Sequence, residues 1–182
     1  MSIAVEAEKE VSTKSWPEGI YDLFKANDIT LVAVVPDAGH SKLIQLCEAD
    51  DEITLVSLTT EEEGIPLLAG GYLGGKKGAL LMQSSGAGNC INMLSLPLNY
   101  SFPCLMLITL RGDHGEFNPM QVPMGNNAQS VLEAMGVIVR RADRPEDVVE
   151  TVNSALGFAF NGYKPTAALI GQAVIGTKNF LK

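Results

Sequence analysis

Six short apolar runs recur along the chain with helix-patterned segments between them, and this alternation leaves few folds open. The runs are Thr30–Val35, Ile53–Leu58, Ala79–Gln83, Cys104–Leu110, Val137–Arg140 and Thr166–Ile170. They are continuously apolar instead of alternating with polar residues. A strand that is apolar on both faces must be covered on both, which is the condition of a parallel sheet between layers of helix. The intervening segments predict helices at Pro17–Ala26, Ser41–Glu48, Glu61–Leu73, Asn89–Tyr100, Ala128–Met135 and Pro145–Asn161. Pro17 and Pro145 suit first turns, and Gly74 and Gly75 suit a helix end. The expected fold is α/β: one doubly wound domain over residues 15–182, with a mostly parallel six-stranded sheet and helices on both faces. Residues 1–14 read as a flexible tail.

The 182 residues suit one domain with a sizeable core. Hydrophobic residues make up 46% and charged residues 19%, which separates the chain from disordered sequences. A net charge of -8 gives no electrostatic reason to bind nucleic acid, although a local basic pocket can hold a small anion. No apolar run approaches the roughly 20 residues of a membrane span, and Met1–Lys14 lacks the apolar segment of a signal peptide. A cytoplasmic protein without membrane association is expected. Cys47, Cys90 and Cys104 sit in apolar surroundings without metal-ligand spacing and read as buried free thiols. No metal site is expected on this chain.

Ligands of doubly wound sheets bind outside the carboxyl ends of the strands. Three loops leave those ends with unusual chemistry: Pro36–His40, Ser84–Asn89 and Arg111–Gly125. The start of the Glu61 helix joins them. There, Thr60 and Glu63 have capping-box spacing, and acidic side chains complement the helix dipole; on this reading all three glutamates are solvated. Glu62, which the box does not need, shares a helix stripe with Ile65, Ala69 and Tyr72 and is a candidate for chemistry. Pro66 removes the backbone bond to the Glu62 carbonyl and predicts a kink in the first turns. Gly70 and Gly71 suit close approach by another body. Ser84-Ser85-Gly86-Ala87-Gly88-Asn89 has the composition of a loop whose amides hold an anion or a ligand's polar edge. It is not a dinucleotide fingerprint, because Ile91 stands at the third glycine position. Gly70–Lys77 fails as a P-loop, because Lys77 replaces the magnesium-binding hydroxyl.

Taken together, Glu61-Glu62-Glu63-Gly64, Ala69-Gly70-Gly71-Tyr72-Leu73-Gly74-Gly75-Lys76-Lys77 and Met82-Gln83-Ser84-Ser85-Gly86-Ala87-Gly88-Asn89 resemble the pyrimidine-binding domain of thiamine-diphosphate-dependent 2-oxoacid decarboxylases. The likeness is greatest to the members acting on sulfopyruvate and phosphonopyruvate. Val35-Pro36-Asp37 and Arg111-Gly112 fit the same family, while Ser84 and Ala87 replace its more usual Asn and Leu. In that family an acidic residue precedes a Gly-Tyr pair by nine and ten positions, and counting back from Gly71-Tyr72 gives Glu62. The resemblance implies that Glu62 is catalytic. It would bond N1′ of the aminopyrimidine and favour the imino tautomer that removes the thiazolium C2 proton. The resemblance also implies that Ser85, Gly86, Gly88 and Asn89 contact the cofactor, thiamine diphosphate.

The family's diphosphate half-site, a Gly-Asp-Gly with a downstream Asn, has no counterpart here: Gly112-Asp113 is followed by His114. The resemblance therefore implies a separate beta subunit that carries this half-site and its Mg2+, with the cofactor shared in a hetero-oligomer. A small anionic 2-oxoacid substrate needs cationic or neutral donors. Asp37, His40, Arg111, His114 and Asn118 are the candidate substrate residues, and His40 is a second catalytic candidate as a proton relay. Each also reads as an ordinary solvated loop residue. The loop from Arg111 to Gly125 is long enough to form a lid. A phosphonopyruvate-type decarboxylase subunit, or a non-catalytic scaffold subunit of the same fold, are the alternative functions.

Overall fold

The computed structural model describes residues 14–177, so the tail expected over residues 1–14 lies outside the described residues apart from Lys14. Six strands form one sheet: β1 (Ile29–Val34), β2 (Thr54–Ser57), β3 (Lys77–Gln83), β4 (Cys104–Thr109), β5 (Ile138–Ala142) and β6 (Pro165–Ile170). Their order is β2-β1-β3-β4-β6-β5, and every neighbouring pair is parallel. The helices are α1 (Trp16–Ala26), α2 (Ser41–Glu48), α3 (Gly64–Leu73), α4 (Ser84–Cys90), α5 (Ser95–Tyr100), α6 (Val122–Ala134), α7 (Val148–Gly162) and α8 (Gln172–Ile175).

Successive strand residues point to opposite faces, which explains the uninterrupted apolar runs. From β4, Leu105 and Leu107 enter one core with Ile20 and Phe24 of α1, Leu43 of α2 and Val152 of α7. Met106 and Ile108 enter the other, with Ile65 and Leu68 of α3, Cys90 of α4 and Leu132 of α6. β4 and β6 are buried at every residue, whereas β2, on the edge, is buried at none. Cys47, Cys90 and Cys104 are free and buried, and burial pushes each thiol up to about 12.

Three local expectations change. The Ser84–Asn89 segment is not a loop but most of α4. Its Gly86 and Ala87 are buried, and these small residues let a helix start flush against the strand end. The single helix expected over Asn89–Tyr100 is broken by a turn before α5. Pro66 causes no kink requirement, because α3 begins at Gly64 after a 3-10 turn over Glu61–Glu63; the proline falls in the first helical turn, where an amide has no partner to lose. Of the two adjacent glycines, Gly71 packs under Leu31, while Gly70 faces open space.

The chain runs from β1 out to β2, then returns to lay β3 against the other side of β1. It diverges again at β4, because β6 is inserted between β4 and β5. Two crevices therefore open at the carboxyl ends of the sheet, one between β1 and β3 and one between β4 and β6.

Candidate active site

In the first crevice Asp37 joins three strand ends. Its carboxylate accepts from the Gly39 amide at 2.9 Å, from the Gln83 side-chain amide at the end of β3 at 3.1 Å, and from the Thr109 hydroxyl at the end of β4 at 2.7 Å. Burial pushes this carboxyl up, but the bonds from Thr109 and Gln83 and the nearby His40 outweigh it and hold it below its ordinary value.

His40 is placed otherwise than expected. The sequence places it in a loop at the ligand edge as a substrate donor or proton relay, but it is fully buried, with Nε2 3.1 Å from the Leu107 carbonyl oxygen. The cause is helical spacing: His40, Leu43 and Cys47 fall at intervals of three and four, and all three face inward. Burial lowers its proton affinity, against the opposing pull of Asp37. Nδ1 has no partner among the described residues.

At the exit of β2 the three glutamates separate. Glu63 closes the capping box, its carboxylate accepting from the Thr59 and Thr60 amides at 2.9 and 3.5 Å. Glu62 is exposed. Glu61 is 9% exposed and turns inward on a stripe with Gly64, Ile65 and Leu68. Its Oε2 accepts from Asn89 Nδ2 at 2.9 Å, and a Cβ on Gly86 would overlap its carboxyl group, so only glycine lets α4 pack there. Sequence reasoning missed Glu61. The signal was present, since the Ile65–Leu68 stripe counts back to residue 61 as well as the chosen stripe counts to residue 62. Of the other expected cofactor residues, Ser85 is exposed and donates to Gln83 Oε1 at 2.9 Å, and Gly88 lies against the Met124 side chain.

The second crevice holds Arg111. Ser84 clips its backbone, accepting from the Arg111 amide at 3.0 Å and donating to the Arg111 carbonyl at 3.1 Å. Its guanidinium donates through Nε and Nη2 to Glu116 at 2.5 and 2.6 Å and lies over the Phe117 ring. Gln172, 1% exposed after β6, accepts from the Gly112 and His114 amides at 2.9 and 3.1 Å and donates to Glu116 at 2.8 Å. The Asn118 side chain accepts from the Met120 amide, and the His114 side chain is exposed. The structure thus gathers Arg111, His114 and Asn118 on one loop. Arg111 and Asp37 together line a cleft of about 90 Å³ with Gly39, Ile175 and Thr177. Ser84, Glu116 and Gln172 were not foreseen as site residues. No local pattern links Gln172 to Arg111; only the insertion of β6 beside β4 brings them together.

Among the described residues no group of three or more His, Cys, Asp or Glu is placed to hold a metal ion, and no helix is long and apolar enough to cross a membrane. No protein-family model matches the chain. Over 151 residues it is 36% identical to the alpha subunit of sulfopyruvate decarboxylase from Methanocaldococcus jannaschii, a match covering 82% of this chain and 89% of that one. The chain belongs to the sulfopyruvate decarboxylase alpha-subunit family. This alpha-subunit chain is also 33% identical over 158 residues to a sulfopyruvate decarboxylase from Methanosarcina acetivorans, covering 86% of this chain but 40% of that longer protein. Its fold matches the X-ray structure of a protein described as a thiamin diphosphate-dependent enzyme from Mycobacterium smegmatis, with TM-score 0.70 and 16% identity over 88% of this chain and 31% of that one.

Proposed function

We propose that this chain is the pyrimidine-binding half of a thiamine-diphosphate-dependent decarboxylase that converts 3-sulfopyruvate to sulfoacetaldehyde and carbon dioxide, and that a separate beta subunit holds the cofactor's diphosphate and Mg2+. The observation that carries this is the divergence of two neighbouring glutamates. Glu61 is fixed inward by Asn89 and Gly86, and Glu62 is left on the open side of the same turn, where a group held by another chain can reach it. An exposed carboxylate beside the short helix α4, which carries Ser85 in its first turn and Asn89 in its last, fits the polar edge of an aminopyrimidine. The longer relative, of which the matched part is 40%, supports a second half that can stand on another chain.

Bound thiamine diphosphate supplies the sink for the electron pair released when the C1–C2 bond of the oxoacid breaks. Glu62 holds a proton at N1′. Asp37 fixes the strand ends beneath the substrate, and the loop carrying Arg111, His114 and Asn118 borders it; His40 acts from below as a positioning group. The carboxylate departs as carbon dioxide and one proton is taken up by the former keto carbon.

Co-expression with a candidate beta chain and assay of aldehyde formation tests this. Glu62→Gln is expected to lower kcat by roughly 100-fold or more with KM little changed, the size of a general acid–base contribution. Full activity in that variant rules out the proton role. Turnover of phosphonopyruvate but not sulfopyruvate reassigns the substrate, and turnover by the purified chain alone overturns the division between subunits.

A further inference from the structure

Four donors converge on the Glu116 carboxylate: Arg111 Nε and Nη2, the Gln172 side-chain amide and the Asn118 backbone amide, at 2.5, 2.6, 2.8 and 3.0 Å. The Glu116 side chain is 1% exposed. The two side-chain donors are themselves held from behind, Arg111 through its backbone by Ser84 and Gln172 by the Gly112 and His114 amides. They come from the ends of β4 and β6, the two walls of the second crevice, whereas their occupant comes from the loop that crosses it. A forked guanidinium with two amides is a donor set that recognises a carboxylate or sulfonate whatever molecule carries it.

We infer that Arg111, Gln172 and the Asn118 amide form a receptor for a small carboxylate or sulfonate group, and that Glu116 is a tethered occupant whose side chain swings out when such a group takes its place. With Glu116 seated, the forked Nε and Nη2 donors of Arg111 are both taken, and an incoming anion finds neither free. Withdrawal of Glu116 frees both N–H donors and, among the described residues, leaves Asp37 as the one carboxylate still near Arg111. A short tether gives the internal carboxylate an effective concentration of about millimolar or higher, so it yields only to a ligand that makes further contacts. That the natural ligand is an acid group of the substrate rests on the proposed function; the receptor's affinity for oxyanions does not.

Glu116→Ala in the full chain empties the receptor. Its melting temperature is measured in acetate, methanesulfonate and chloride at equal ionic strength. Acetate or methanesulfonate is expected to raise it by roughly 3–5 °C over chloride near saturation, with little shift in the wild type and none in Arg111→Ala/Glu116→Ala. The better of the two anions identifies the preferred group. If Glu116→Ala does not fold, Glu116→Gln, of equal size and without the competing charge, is measured in the same way. A folded variant with no anion-specific shift overturns the receptor. Rescue without decarboxylation in the assembled complex keeps the receptor and removes the proposed reaction.

Discussion

Asn89 is the only side-chain hydrogen-bond donor to Glu61 among the described residues. Asn89→Ala is therefore expected to cost about 1–3 kcal/mol in urea unfolding, the penalty for leaving a buried acceptor unsatisfied. Gly86→Ala places a methyl group in the Glu61 carboxyl and is expected to destabilise by a similar amount; combined with Glu61→Ala it should recover part of the loss, a coupling that a double-mutant cycle measures. His40 has a different signature. Its folded proton affinity lies below the ordinary histidine value because of burial, so the unfolded chain binds the proton more readily. The stability gained by keeping it neutral is complete above about pH 6.5 and is lost as pH falls from there toward the lower folded value. Unfolding measured at pH 7.5 and 5.5 should show a smaller loss in His40→Leu than in the wild type; equal losses would assign the slope to another group.

The loop between β4 and α6 is held by side chains and by two close backbone approaches. A Cβ on Gly125 would overlap the Arg111 carbonyl, which is backbone and cannot swing away. Gly125→Ala is expected to cost roughly 2 kcal/mol or more by thermal unfolding. Bonds from Arg111, foremost, hold the Glu116 carboxyl down at about 2. Its stabilisation is complete above the ordinary carboxylate value and is lost as pH falls from there toward 2, so Glu116→Gln should flatten the acid limb of the stability curve in that window. The start of this loop was legible, because Arg111-Gly112 follows a run that can only be a buried strand. Its end was not. α6 starts at Val122, earlier than the apolar pattern from Ala128 indicated, because Asn118 caps a 3-10 turn over Pro119–Gln121 that feeds directly into the helix.

Across the whole molecule the sheet is the shared wall of two cores, and the middle strands carry both. Leu107 is fully buried in β4, and its replacement by Ala is expected to cost about 2–5 kcal/mol. Substitution of exposed Thr54 on the edge strand β2 by Ala should stay within about 0.5 kcal/mol, since little is packed there to lose. A near-equal cost at the two positions in denaturant titrations would contradict the two-layer arrangement.

The amino-acid sequence determined what local periodicity can encode: six strands alternating with helices, the capped turn at Thr60–Glu63 and the inward packing of the cysteines. Tertiary structure alone decided which glutamate turns in and how Gln172 comes to hold the loop of Arg111. A helical or strand period states that one face is apolar, but not which distant segment will cover it. That choice belongs to the strand order, and the strand order is settled only when both cores close at once.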